Sequence, residues 1–154
     1  MNAVKQDLLV GWELVTYAQH LVMKQMTYSY DNPLVLPKRA FEQGRGYCVQ
    51  QAYCTRRILR ALGFTCNLVY SPRVRVVGKI KDGKIVAPFT SGHVWNRVTI
   101  GDETKDVCTT SEGDKPGTVA FISLTSVRSY NCVIAVFGWL GSIPVCIKRK
   151  KSFI

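Results

Sequence analysis

Three residues of the 154 have types and an order that can do nucleophilic chemistry together: Cys48, His93 and Asp106. A cysteine attacks only as its thiolate, and the first turn of a helix favours that anion because unpaired N–H groups and the helix dipole point at it. Cys48 is expected in such a turn. Cys48, Ala52, Thr55, Leu59 and Leu62 fall on one helical stripe, Tyr53, Arg56, Arg57 and Arg60 fall elsewhere, and Gly63 ends the run. The segment Gln43-Gly44-Arg45-Gly46-Tyr47 before it brings two glycines that let backbone approach a substrate, and Gln43 has an amide that can help hold an oxyanion. Tyr47 and Gln50 flank Cys48 and are candidates to touch substrate. On this reading Cys48 is the first of the six cysteines to react with an alkylating agent.

A base and an acid must come from elsewhere, and only His20 and His93 can serve as base. His20 falls mid-helix beside Leu21. His93 opens a strand after Gly92, and Asp106 follows on the next short strand, where a hairpin can bring imidazole and carboxylate side by side. The order gives nucleophile, general base and orienting acid. Trp95 shares the strand face of His93 and would wall the cleft. The chemistry expected is attack on a carboxamide or ester carbonyl through an acyl-enzyme.

The elements that must hold these groups are readable in outline. Residues 4 to about 26 show helical spacing in Leu8, Leu9, Trp12, Val15, Ala18, Gln19, Val22 and Met26. Residues 27 to 47, with Pro33, Pro37, Gly44 and Gly46, read as a long ordered loop or short extended pieces. The second helix spans 48 to 62. After Gly63 the period changes to that of strands, Asp82-Gly83 signals a two-residue hairpin turn, and 93–100 alternates cleanly before a turn and returning strand at GDETKDVC. Residues 118 to 124 and 131 to 137 are expected as further strands. The uncharged run 132–147 is too short for a membrane span of about 20 residues. Its Gly138, Gly141, Ser142 and Pro144 suggest two core strands joined by a turn.

Gly46-Tyr47-Cys48 at a helix start, Leu62-Gly63-Phe64 at its end, His93-Val94-Trp95 leading a hydrophobic strand and Lys105-Asp106-Val107 together resemble the transglutaminase-like branch of the papain-fold cysteine enzymes, over roughly residues 40 to 110. The resemblance implies an α+β core in which the nucleophile helix packs on an antiparallel β-sheet carrying His93 and Asp106, and a protease, amidase or transglutaminase type of activity on a peptide, amide or other acyl substrate. In that family the aspartate is commonly followed by proline or alanine, whereas Asp106 is followed by Val107-Cys108. Gly44-Arg45-Gly46-Tyr47-Cys48 is also similar to the Arg-Gly-Gly-Tyr-Cys pattern of arylamine N-acetyltransferases, which are much longer chains, and makes acetyl transfer the alternative.

Composition sets the remaining expectations. With 47% apolar residues, 1–154 is expected as a single domain with its own core. Lys5, Asp7 and Glu13 interrupt the apolar start, so no secretory signal is expected and a cytoplasmic setting follows. The cysteines form no CxxC pair and no cluster with histidine, so neither a metal site nor a cofactor is expected. A formal charge of +11 is concentrated in Arg56, Arg57 and Arg60, in Arg73 and Arg75, and in Lys148-Arg149-Lys150-Lys151. It admits an anionic partner and a third reading, a non-catalytic polyanion-binding module on the same fold.

Overall fold

The computed structural model describes residues 8–151. Helix α1 (Gly11–Gln25) turns Val15, Ala18, Gln19 and Val22 inward. Its first residue, Gly11, has a φ of 56°, a left-handed value that stops the helix from propagating further towards the N-terminus. The helix start expected at residue 4 lies outside the described residues. His20 on α1 is exposed.

Residues 27–47 hold more regular structure than expected. Strand β1 (Thr27–Tyr28) pairs in parallel with β2 (Arg45–Gly46), and between them lies a short helix α2 (Pro37–Glu42) with proline in its first turn, where no backbone donor is needed. Helix α3 (Cys48–Ala61) begins at Cys48 as expected and closes at Leu62, with Gly63 at a φ of 89°.

The chain then builds β3 (Thr65–Val76), the small hairpin β4 (Ile80–Lys81) and β5 (Lys84–Ile85), then β6 (Phe89–Ile100), β7 (Glu103–Val107), β8 (Phe121–Ser123) and β9 (Arg128–Ser129). Asp82 and Gly83 both take positive φ, 51° and 70°, as the hairpin turn requires. One antiparallel sheet runs β7-β6-β3-β8, with β9 also on β3. Its faces differ. Cys66, Val98 and Val107 meet Val15, Ala18 and Leu59 of α1 and α3, while Val69, Val74, Trp95, Cys108 and Phe121 form an opposite layer. The pairing of β3 with β6 shifts between Ser71 and Val74, where Pro72 and Arg73 face only Gly92. This bulge sits beside His93 and bends the sheet there.

The two core strands expected in 132–147, and the strand expected at 131–137, are instead one helix, α4 (Cys132–Lys151). An apolar run without period fits either element, and twenty residues exceed the usual 3–10 of a strand. Asn131 Oδ1 accepts the Ile134 N–H at 3.0 Å, which caps the first turn. The side chains of the basic run 148–151 lie outside the described ones. No helix among the described residues is long and apolar enough to cross a membrane.

Gly46 shows how tightly the approach to α3 is packed. A Cβ there would fall 2.8 Å from Gln50 Oε1 and 2.8 Å from Met26 Cε. Gly46→Ala is therefore expected to destabilise the fold by about 1–3 kcal/mol in urea unfolding. An unchanged midpoint would show that the Gln50 amide yields freely.

Candidate active site

The geometry around Cys48 starts from amides. Gln50 Oε1 accepts the Tyr47 N–H at 3.1 Å, half of a capping box, and Gln50 Nε2 donates to the carbonyls of Asn32 (2.8 Å) and Val35 (2.7 Å). Gln50 thus holds the 27–47 segment against α3 instead of facing substrate. Gln43 caps α2 and accepts from Asn32 Nδ2 at 2.9 Å, which ties its amide into the same segment and not to the thiol. Two further buried glutamines, Gln19 on the inward stripe of α1 and Gln51 on α3, fix the far side. Gln19 Nε2 donates to the Cys108 carbonyl at 2.5 Å, and Gln51 joins the Met26 carbonyl to the Thr109 hydroxyl.

Cys48 stands at the start of α3 against Val94 of β6, the neighbour of His93. Cys48 and His93 line one cavity of about 570 Å³. Tyr30, Tyr47, Tyr70, Tyr130 and Phe137 give it aromatic walls, and Gly138 and Gly141 of α4 close one side. Among the described residues its lining holds no aspartate, glutamate, lysine or arginine.

The thiolate expected of Cys48 is not its resting form. Burial pushes the thiol up, and hydrogen bonds from the Val94 backbone, the Tyr28 hydroxyl and the Val49 backbone, with the charge of Lys79, oppose that only in part. The thiol is also only 6% exposed, whereas Cys132 at the start of α4 is exposed, so Cys132 and not Cys48 is the most accessible described thiol. Burial, with the nearby Lys79 charge, holds His93 down at about 3, so its imidazole is neutral at neutral pH and able to accept a proton.

Asp106 does not orient His93. It faces Arg97 in the register of β6 and β7, and Arg97 Nε holds its Oδ1 at 2.9 Å. His93 lies four residues further along β6, about 13 Å away at strand spacing. Instead, His93 Nε2 lies 3.2 Å from the Cys108 thiol, which also meets Thr110 Oγ1 at 3.1 Å. The tight turn at Gly101-Asp102 fixes this register: Ile100 stands opposite Glu103 and Arg97 opposite Asp106, so Asp106 falls four residues short of His93 along β6. Trp95 does back His93, its ring stacked at 5.9 Å, but it is 1% exposed and belongs to the core layer, not the cavity wall.

Two charged groups complete the site without having been foreseen. Lys79, 7% exposed, puts its ammonium 4.0 Å over the Tyr28 ring and acts on Cys48, Cys108 and Asp114. Asp114, 1% exposed, accepts the Ala120 N–H at 2.8 Å, and burial raises its carboxyl to about 6. Among the described residues no group of three or more histidines, cysteines or carboxylates could hold a metal ion.

A cysteine at a helix start and a histidine on an antiparallel sheet line one cavity of a mixed α+β fold, an arrangement that cysteine-based catalysis can use. The chain belongs to the transglutaminase-like superfamily, whose model matches residues 4–106, more than half of its length. No curated protein matches it.

His93 and Asp114 pull stability in opposite directions with pH. Between about pH 6 and 4 an unfolded histidine binds a proton that folded His93 refuses, so acid destabilises; folded Asp114 binds a proton that an unfolded aspartate does not, so acid stabilises. Relative to the wild type, Asp114→Asn should make stability fall with acid by about 1.4 kcal/mol per pH unit, and His93→Gln should tilt it by a similar amount the other way. Urea unfolding at pH 4, 5 and 6 reads both slopes, and parallel curves for all three proteins would show that neither group is shielded from water.

Proposed function

We propose that the chain is a cysteine acyltransferase or hydrolase acting on a carboxamide or ester whose acyl part is neutral and apolar or aromatic. Cys48 attacks the carbonyl carbon as His93 takes the thiol proton; the C–S bond forms, the C–N or C–O bond breaks, and the proton passes to the leaving group. Water or an amine then resolves the thioester with His93 again as base, and the thiol returns. The raised thiol and the neutral imidazole mean that the proton moves during attack, not beforehand.

The observation that carries this reading is the shared cavity of Cys48 and His93, walled by aromatic rings and free of charged side chains among the described residues. Such a lining suits a neutral acyl group and gives no support to acetyl transfer from a phosphate-bearing cofactor. The Val94 backbone, the Tyr28 hydroxyl, the Val49 backbone and the Lys79 charge support the thiolate as it develops. The reading sets the protein in a reducing compartment, where the thiols persist.

The anionic partner keeps a separate place. What supports it is a groove of about 1010 Å³ between α2 and α3, lined by Lys38, Arg56, Arg57 and Arg60 with Leu36, Phe41 and Ile58, where Glu42 already pairs with Lys38. Arg56 already packs 4.7 Å from the centre of the Tyr53 ring, and Arg60 donates to the Cys66 carbonyl at 2.8 Å, so two of these cations hold the fold as well.

The test uses Cys132→Ser as background, to remove the most accessible described thiol. An apolar aryl ester should acylate Cys48, as read by peptide mass spectrometry, and His93→Ala should slow this by about 10²–10⁴-fold. Labelling of Cys48 at an unchanged rate without His93 would remove the catalytic claim.

Gly141 gives a second test of the same cavity. Among the described residues a Cβ there meets nothing within 4 Å, so Gly141→Leu can project into the cavity that Gly141 lines. It should exclude large aryl esters at least tenfold while leaving alkylation by iodoacetamide nearly unchanged. Equal loss for both reagents would mean that the cavity does not select the acyl group.

A further inference from the structure

Once Asp106 is assigned to Arg97, the imidazole needs another partner, and the polar cluster behind it supplies one. We propose that Asp114, acting through the Cys108 thiol, is the carboxylate that positions His93. The inference rests on the acyl-transfer reading for its catalytic consequence only.

The contacts run in one line. His93 Nε2 lies 3.2 Å from Cys108 Sγ, and Cys108 and Asp114 act on each other electrostatically. Asp114 is held on the far side, where its Oδ1 takes the Ala120 N–H at 2.8 Å and its own N–H reaches the Ser111 carbonyl at 3.1 Å. Its Oδ2 is buried and makes no hydrogen bond within ordinary distance, so the carboxylate keeps acceptor capacity that the turn 111–118 does not use.

The thiol has one proton to direct. Burial and the adjacent carboxylate push Cys108 far up, so it stays S–H. A bond to a charged acceptor is roughly twice as strong as a neutral one, so that proton belongs on Asp114. The sulfur can then only accept from His93, which places the ring proton on Nε2 and leaves the Nδ1 lone pair free to act as base. Turning the S–H towards His93 would reverse the tautomer and point the thiol proton away from the buried, unpartnered Asp114 Oδ2. The Thr110 hydroxyl, 3.1 Å from the sulfur, holds the thiol rotor. The other charged or titratable groups facing the cluster are Lys79, which acts on Cys108, Asp114 and His93, and Cys48. Trp95 and Phe121 enclose the ring with apolar surface.

Asp114 and Cys108 are therefore positioning residues, and the discriminating readout is the His93 tautomer. In the ¹⁵N-labelled full chain, two-bond ¹H–¹⁵N correlations at pH 7 should show His93 protonated at Nε2. Cys108→Ala and Asp114→Asn should each raise the Nδ1–H form and slow acylation of Cys48 by an aryl ester at least tenfold. Cys108→Ser, which keeps one donor and an acceptor, should hold the tautomer and recover most of the rate. Should Asp114→Asn fail to fold, the wild type itself gives the answer, because protonating Asp114 between pH 7 and 5 should also raise Nδ1–H. Nδ1–H in the wild type at pH 7, or a tautomer indifferent to Cys108→Ala, to Asp114→Asn and to acid, overturns the proposal. If the tautomer responds as described while acylation of Cys48 ignores His93→Ala, the relay stands and the acyl-transfer reading is what fails.

Discussion

The first turn of α3 abuts β6 at Val94, and the site depends on that contact. It brings a thiol at a helix start next to the one strand that carries a buried histidine, and it must be held to within tenths of an ångström for the two to share a cavity. Buried amides do the holding. Gln50 binds the 27–47 segment to the head of α3, Gln51 binds α3 to the end of α1 and to Thr109, and Gln19 binds α1 to the Cys108 carbonyl. Each bond is made inside the protein, where an unpaired amide would be costly, so the contacts tolerate little sliding.

The electrostatics follow from the same burial. A helix start alone would favour a thiolate, and a surface histidine would titrate near neutrality, but desolvation outweighs both tendencies at this depth. The result is a thiol and a neutral imidazole in a cavity without formal charge among its described lining, with the ions Lys79 and Asp114 set behind it. In the acyl-transfer reading, charge that develops on the sulfur meets the Val94 backbone, a tyrosine hydroxyl and a buried ammonium instead of bulk water.

The bulge at Pro72-Arg73 and helix α4 shape what can enter. The bulge changes which residues of β3 face each way, so that Val69 and Val74 lie in one layer despite their odd separation. Helix α4 contributes Ile134, Phe137 and two glycines to the cavity wall, which gives the C-terminal apolar run a role at the site instead of in a sheet.

By itself, the sequence determined the α+β class, the span of α3 and the Asp82-Gly83 hairpin, and it singled out Cys48 and His93, which line one cavity. Those follow from local signals: a helical stripe ended by glycine, a turn dipeptide, and scarce residue types. It did not determine the partner of His93, because strand alternation gives a residue its face but not its place along the strand. Only the register set by the turn at Gly101-Asp102 put Asp106 on Arg97 and Cys108 beside the imidazole. Nor did it reveal Lys79 and Asp114, whose burial comes from the packing of the 77–79 and 111–118 turns against the site. The 132–147 run was ambiguous for a related reason: apolar residues without period fit a core strand or a helix, and the Asn131 cap and the space over the cavity decided for the helix.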